Sequence, residues 1–207
     1  MGLMVKSKGG TDFQPVDAGV HHAVCYGMID LGHQYNPMYN KDEHKIMIMW
    51  ELPHERITID GKDLPRAISR KFTMSLSPKS NLRPFLESWR SQPFTNQQLD
   101  DGWDIKAIIG ANCQLSIIHE TFKDKAGKDK TVAKISAVMP LPKGTAKLKA
   151  ETEEQYFSFE DGMDVPENLP EWIRDIIQKS SELTTENLPP PEKQPQKQAE
   201  ESDNIPF

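Results

Sequence analysis

Lys45-Ile46-Met47-Ile48-Met49-Trp50-Glu51-Leu52 is the stretch on which the fold turns. It is apolar over most of its length, contains neither Gly nor Pro and stops at Pro53, so it reads as a largely buried strand. Upstream, His22 to Leu31 alternates Val24, Tyr26 and Met28 with Cys25, Gly27 and Ile29, a second strand that Gly32 is expected to end. Turn-forming residues then fill Gly32 to Asn40, a loop that carries Tyr35 and Tyr39. Downstream, Arg56 to Ile59 with Asp60-Gly61 predicts a short strand and turn. Ala67 to Leu76 predicts a longer strand, packing Ile68, Phe72, Met74 and Leu76 and leaving Ser69, Lys71, Thr73 and Ser75 polar.

Helical signals follow. Ser80 can cap a segment bearing Leu82, Phe85, Leu86 and Trp89, provided Pro84 falls in its first turn. Thr95-Asn96-Gln97-Gln98 has the spacing of a capping box, and Ile105 to Ile109 closes on Gly110. Two more strands, Cys113 to Phe122 and Thr131 to Met139, flank the charged hairpin loop 123–130. About five strands with one helical interruption predict a mainly β chain, an OB-like Greek-key barrel with an interposed helical segment. Past Pro142, Leu169, Trp172, Ile173, Ile176 and Ile177 form one stripe of a short amphipathic helix starting at Asn168, read as a strut docking on the barrel. From about Leu183 the chain is rich in Pro, Gln, Glu and Lys, a disordered acidic tail by composition. The organisation expected is a flexible segment 1–18, a barrel domain 19–145, an acidic connector with its helix 146–182, and the tail 183–207.

The net charge of −6 hides an uneven distribution. Residues 1–150 carry a balance of +5 and residues 151–207 a balance of −11. A basic body with an acidic appendage suits a nucleic-acid binder carrying a partner-binding tail, and suits a plain acidic linker as well. Cys25 and Cys113 sit in separate apolar runs and are expected to be reduced core residues, not a disulfide or a zinc site. No long apolar run or signal peptide occurs, so no membrane association is expected and the cell interior is the expected compartment. His21, His22, His44, His54 and His119 form no His-Glu-x-x-His pattern. With no phosphate-cradling glycine loop and no Cys-x-x-Cys either, no enzyme, metal or cofactor is expected.

The end of the chain is its most specific motif. Phe207 offers an aromatic anchor, Pro206 limits the backbone, and the terminal carboxylate with Asp203 can be read by basic residues around an apolar pocket. Asp203-Asn204-Ile205-Pro206-Phe207 resembles the acidic tip of bacterial single-stranded DNA-binding proteins, although Ser202 and Asn204 stand where acids are usual. The body from about Gly19 to Gly144 resembles phage and prophage proteins of the same class, through Ile46-Met47-Ile48-Met49-Trp50-Glu51-Leu52-Pro53, Ser80-Asn81-Leu82-Arg83, Leu86-Glu87-Ser88-Trp89-Arg90 and Leu141-Pro142-Lys143-Gly144. The resemblance implies sequence-tolerant binding of single-stranded DNA in phage-type replication, recombination or repair inside a bacterial host cell. It also implies recruitment of partner proteins by the tip, with homo-oligomerisation left open.

Such binding needs cations for phosphates and aromatic faces for bases. The candidates are Tyr35 and Tyr39 in the first loop, Trp50, the cluster Arg66, Arg70, Lys71 and Phe72, and Lys123, Lys125, Lys128 and Lys130 in the last hairpin. Each has a plainer reading: Phe72 as core, Trp50 as a core cap, and the Lys-Asp alternation of 123–130 as a solvated hairpin. A strand-annealing protein, a metal-dependent nuclease and an adaptor acting only through its tail are the alternatives.

Overall fold

The computed structural model describes residues 14–124 and 127–185. Of the expected disordered tail 183–207, residues 186–207 with the tip Asp203 to Phe207 lie outside the described residues, while residues 183–185 fall in the last helix; residues 1–13 of the expected flexible N-terminus and Lys125 also lie outside them.

Three long strands form a meander: β1 (Gly19–Asn36), β2 (Lys41–Ile59) and β3 (Lys62–Thr73). Helices α1 (Leu82–Arg90) and α2 (Asn96–Asp100) and a 3-10 turn at Ile105–Ile108 follow, and then the hairpin β4 (Asn112–Lys123) and β5 (Asp129–Met139) returns to β1. The order β3-β2-β1-β4-β5 is antiparallel throughout. The Arg70 guanidinium on β3 donates to the Ile135 carbonyl on β5 at 3.2 Å, bridging the two ends of that order. The fold is mainly β and OB-like, with the helical segment interposed between the third and fourth strands.

Local chemistry accounts for the helix ends. Asn81 is the N-cap of α1, and the Ser80 hydroxyl just before it accepts from the backbone N–H groups of Leu82 and Arg83, with Pro84 in the first turn. Thr95 and Gln98 form a complete capping box on α2. Leu82, Phe85, Leu86 and Trp89 turn one face of α1 into the barrel, where Trp50 and Phe72 meet Phe85 and Trp50 also meets Trp89.

Three sequence expectations are corrected. Gly32 does not end β1; it takes φ +68° at a bulge, and pairing resumes at His33↔His44 and runs to Asn36↔Lys41. The two runs on either side of Pro53 are one strand, β2, with a register shift between Leu52 and Arg56. β3 stops at Thr73, so Met74 falls outside the alternation and is exposed.

A second apolar layer lies on the outside of the barrel. Beyond Val24 the far edge of β1 leaves β4, and β6 (Gln155–Phe157) takes it over in parallel at Gly27 to Ile29. A Cβ at Gly27 would stand 2.5 Å from Met49 Cε and 2.9 Å from the Gln155 carbonyl, so only glycine admits β6 there. Helices α3 (Glu171–Ile177) and α4 (Ser181–Thr185) complete the layer. Leu169, Ile173 and Ile177 bury against Tyr26, Ile29, Leu31, Met47 and Met49. The helix begins at Glu171 after Pro170 instead of at Asn168, which turns Trp172 out of the stripe and leaves it half exposed.

Two buried carboxylates hold this layer down. Glu51, fully buried, accepts the backbone N–H groups of Glu151 at 2.9 Å and Thr152 at 2.7 Å. Asp30 accepts from Gly32 N–H at 2.8 Å, His44 Nε2 at 2.7 Å and Phe159 N–H at 3.4 Å. Each carboxylate sits on a central strand and satisfies backbone donors of a segment a hundred or more residues away or of its own bulge, so burial leaves neither without partners.

Candidate nucleic-acid interface

The β1–β2 hairpin projects beyond the barrel, and its face is set by strand alternation. Lys41, Glu43 and Lys45 share one side of β2 at period two, and antiparallel pairing places Thr73 of β3 directly opposite Lys45 and Lys71 opposite Met47. The chain after β3, from Ser75 to Asn81, and the edge of α3 at Ile176 close the space around them. The result is a cleft of about 650 Å³ whose charged lining is Lys41, Lys45, Arg70, Lys71 and Lys79 against a single acid, Glu43, with Tyr39 at its hairpin end.

Within it, Lys45 donates to Glu43 at 2.8 Å and to the Thr73 hydroxyl at 2.7 Å. Lys41 approaches the other Glu43 oxygen at 3.3 Å, and the Asn36 amide donates to Glu43 at 2.7 Å. These donors, Lys45 foremost and Asn36 next, hold the Glu43 carboxyl down at about 2. Desolvation alone lowers the pKa of Lys71 and of Arg70. An anion entering the cleft would offset that desolvation, so both groups favour an anionic occupant. Arg70 also lies over the Phe72 and Phe85 rings at 4.9 and 5.2 Å, which fixes its guanidinium at the β3–β5 seam.

A second cleft of about 590 Å³ continues along β3. Pro65, Arg66, Ala67, Ile68 and Ser69 form its floor, with Ile57 and Ile59 of β2 and Thr131, Val132 and Ala133 of β5 as walls. Residues 65–73 of β3 thus line one cleft after the other, a path of about 26 Å at about 3.3 Å per residue.

The structure brings together only part of the set expected from sequence. Tyr35 and Tyr39 are 62% and 63% exposed on the hairpin, where their rings are open to stacking. The Tyr35 hydroxyl donates to Asn40, and Lys41 lies 5.6 Å from the Tyr39 ring. Lys71 and Arg70 face the first cleft. Arg66 lines the second, but its guanidinium donates to the carbonyls of Gln14 and Arg56, tying down the entering chain.

Trp50 and Phe72 are corrected as base-stacking residues: at 0% and 3% exposure they fill the barrel interior and present no free ring face. Lys123, Lys128 and Lys130 lie at the opposite end of the barrel from Tyr35 and Tyr39. Antiparallel pairing of β1 with β4 and with β2 sends the 123–130 hairpin and the Asp60-Gly61 turn to one end and the Asn36–Lys41 turn to the other. Lys123 there pairs with Asp129 at 3.1 Å, while Lys128 and Lys130 are exposed.

Lys41, Lys45 and Lys79 are the cleft cations that sequence reading passed over. The available signal was the period-two recurrence Lys41, Glu43, Lys45 leading into the buried strand. Among the described residues no cluster of His, Cys, Asp or Glu is arranged to hold a metal ion, and no helix is long and apolar enough to cross a membrane. No family model, curated protein or solved structure matches the chain.

Proposed function

We propose that the chain is a sequence-tolerant single-stranded DNA-binding protein that coats exposed strands and recruits replication, recombination or repair proteins through its C-terminal tip. The observation that carries this reading is the first cleft, where five cations face one acid with the exposed Tyr39 at its hairpin end, on an OB-like barrel. Cations at strand spacing follow a phosphate backbone, and rings on the hairpin stack bases without regard to sequence. The 26 Å path along β3 suits a footprint toward the low end of the roughly 4–16 nucleotides that one OB fold covers. The tip and its acidic tether act on proteins, and in this reading the protein works in the bacterial cytoplasm on DNA of phage type.

The test is fluorescence anisotropy of a labelled oligo-dT against a duplex of equal length across a salt series. Salt-sensitive binding selective for the single strand is the expected result. Absence of binding at low salt would leave only an adaptor role for the tail. Pairing of added complementary strands would move the reading to an annealing protein.

A further inference from the structure

We propose that Glu43 is a built-in phosphate competitor: its carboxylate occupies the place that a backbone phosphate takes between Lys41, Lys45 and Asn36, and it must be displaced when a strand binds. The inference rests on the single-strand reading and adds to it the residue that sets affinity and salt response.

Among the described residues Glu43 is the only acid in the cleft lining, its side chain is only 12% exposed, and it receives Lys41, Lys45 and Asn36. A carboxylate with an ammonium on each oxygen and an amide on one of them presents much the same acceptor geometry as two phosphate oxygens. Two of the three donors have a second hold: Lys45 also donates to the Thr73 hydroxyl and the Asn36 amide oxygen accepts from the Met38 N–H, while the exposed Lys41 ammonium lies 5.6 Å from the Tyr39 ring centroid. Taking the carboxylate away therefore leaves Lys45 and Asn36 in place with their bonds to Glu43 unmade. Glu43 stays ionised down to about pH 2, so it competes at every pH at which DNA would be bound.

With Glu43 present, the displaced carboxylate stays beside the incoming phosphate, so the Lys41–Lys45 pair neutralises that phosphate only in part and the strand keeps counterions there. In a Glu43→Gln protein the lysines neutralise the phosphate fully and its counterions are released. At about 0.7 per phosphate contact on a single strand, this one contact steepens the log affinity versus log salt slope by up to about 0.7. The variant and the parent would then bind alike near 1 M salt, and the variant would bind about 5-fold tighter near 0.1 M.

The experiment titrates labelled oligo-dT with the full-length protein and its Glu43→Gln variant from 0.1 to 1 M salt, with thermal melts confirming that both fold. Inorganic tripolyphosphate, followed by calorimetry, serves as a probe of the lysine pair without DNA. Tighter binding and a steeper slope for the variant support the proposal. Weaker or equal binding with an unchanged slope overturns it, because Glu43 would then merely position the lysines. If neither protein binds oligo-dT but the variant gains affinity for tripolyphosphate, the competitor role stands and the single-strand reading falls. No gain on either probe removes the competitor role.

Discussion

Lys71 and Lys79 are the two cleft lysines without a carboxylate partner among the described residues, and replacing both with alanine reads the cleft directly. Both are exposed, and Lys71 stands opposite Met47 on the outer face of β2–β3. Neither side chain fills the core, so the double variant should keep its melting temperature within the small range of surface changes, about 0.5 kcal/mol. If each lysine holds one phosphate, the log–log salt slope for oligo-dT falls by about 1.4 and affinity at 0.1 M salt drops about 25-fold relative to the value extrapolated at 1 M. A matched variant at the far hairpin, Lys128→Ala with Lys130→Ala, controls for general charge loss of the same size. The assay is anisotropy at five or so salt concentrations for the three proteins. An unchanged slope in the Lys71/Lys79 variant, with the loss appearing in the hairpin variant instead, would refute the assignment of the strand to this cleft and move it to the 123–130 end.

Three shorter predictions test other links. Glu51→Ala should cost about 3–6 kcal/mol in urea unfolding, since two charge-assisted hydrogen bonds at about 1.5–3 kcal/mol each are lost and two backbone N–H groups lose their partner; a cost below about 1 kcal/mol would mean that Glu51 does not hold the outer layer. His44 has its pKa raised, chiefly by its hydrogen bond to Asp30. Its contribution to stability should therefore be complete below the ordinary histidine pKa of about 6.5 and fade as pH rises through the raised folded value; melts of the parent and His44→Gln at pH 5.5, 7 and 9 should differ most at the acid end. Tyr39→Ala should weaken oligo-dT binding by about 1–3 kcal/mol with little change in melting, whereas Trp50→Phe should lower the melting temperature and leave binding alone.

The strands that read most cleanly from sequence are those whose alternation is regular. Cys113 to Phe122 and Thr131 to Met139 lie within β4 and β5, which extend only one or two residues further. Gly32 misled because a glycine that ends a strand and a glycine that serves a bulge look the same locally; what separates them is the pairing partner across the hairpin. Trp50 and Phe72 carry the right ring chemistry for stacking, but strand register turns them inward, and register follows from the barrel's closure, not from any short window. Lys41 and Lys45 escaped notice for the opposite reason: they look like an ordinary solvated approach to a strand until β3 and the Ser75–Asn81 segment close over them. The partners of Glu51 and the Phe159 N–H that Asp30 accepts lie a hundred or more residues downstream, beyond the reach of periodicity.

Those two carboxylates bear on where the functional body ends. Sequence composition changes at about residue 145, and a fragment stopping there would keep all five strands of the barrel. It would also bare Tyr26, Ile29, Leu31, Met47 and Met49 on the outer face of β1 and β2, together with the Asp30 and Glu51 carboxylates. At about 1.5–3 kcal/mol for each buried large side chain, the exposed five forfeit roughly 8–15 kcal/mol, as much as a whole domain's net stability of about 5–15 kcal/mol. A chain truncated after residue 145 is therefore expected to be unfolded or aggregated, while one truncated after Thr185 should melt at the same temperature as the full chain. Because Ile176 also forms part of the first cleft's wall, the connector helix belongs to that cleft as well as to the fold. A soluble, cooperatively melting 14–145 fragment that binds oligo-dT as the full chain does would show that the outer layer is an accessory and that the cleft is complete without it.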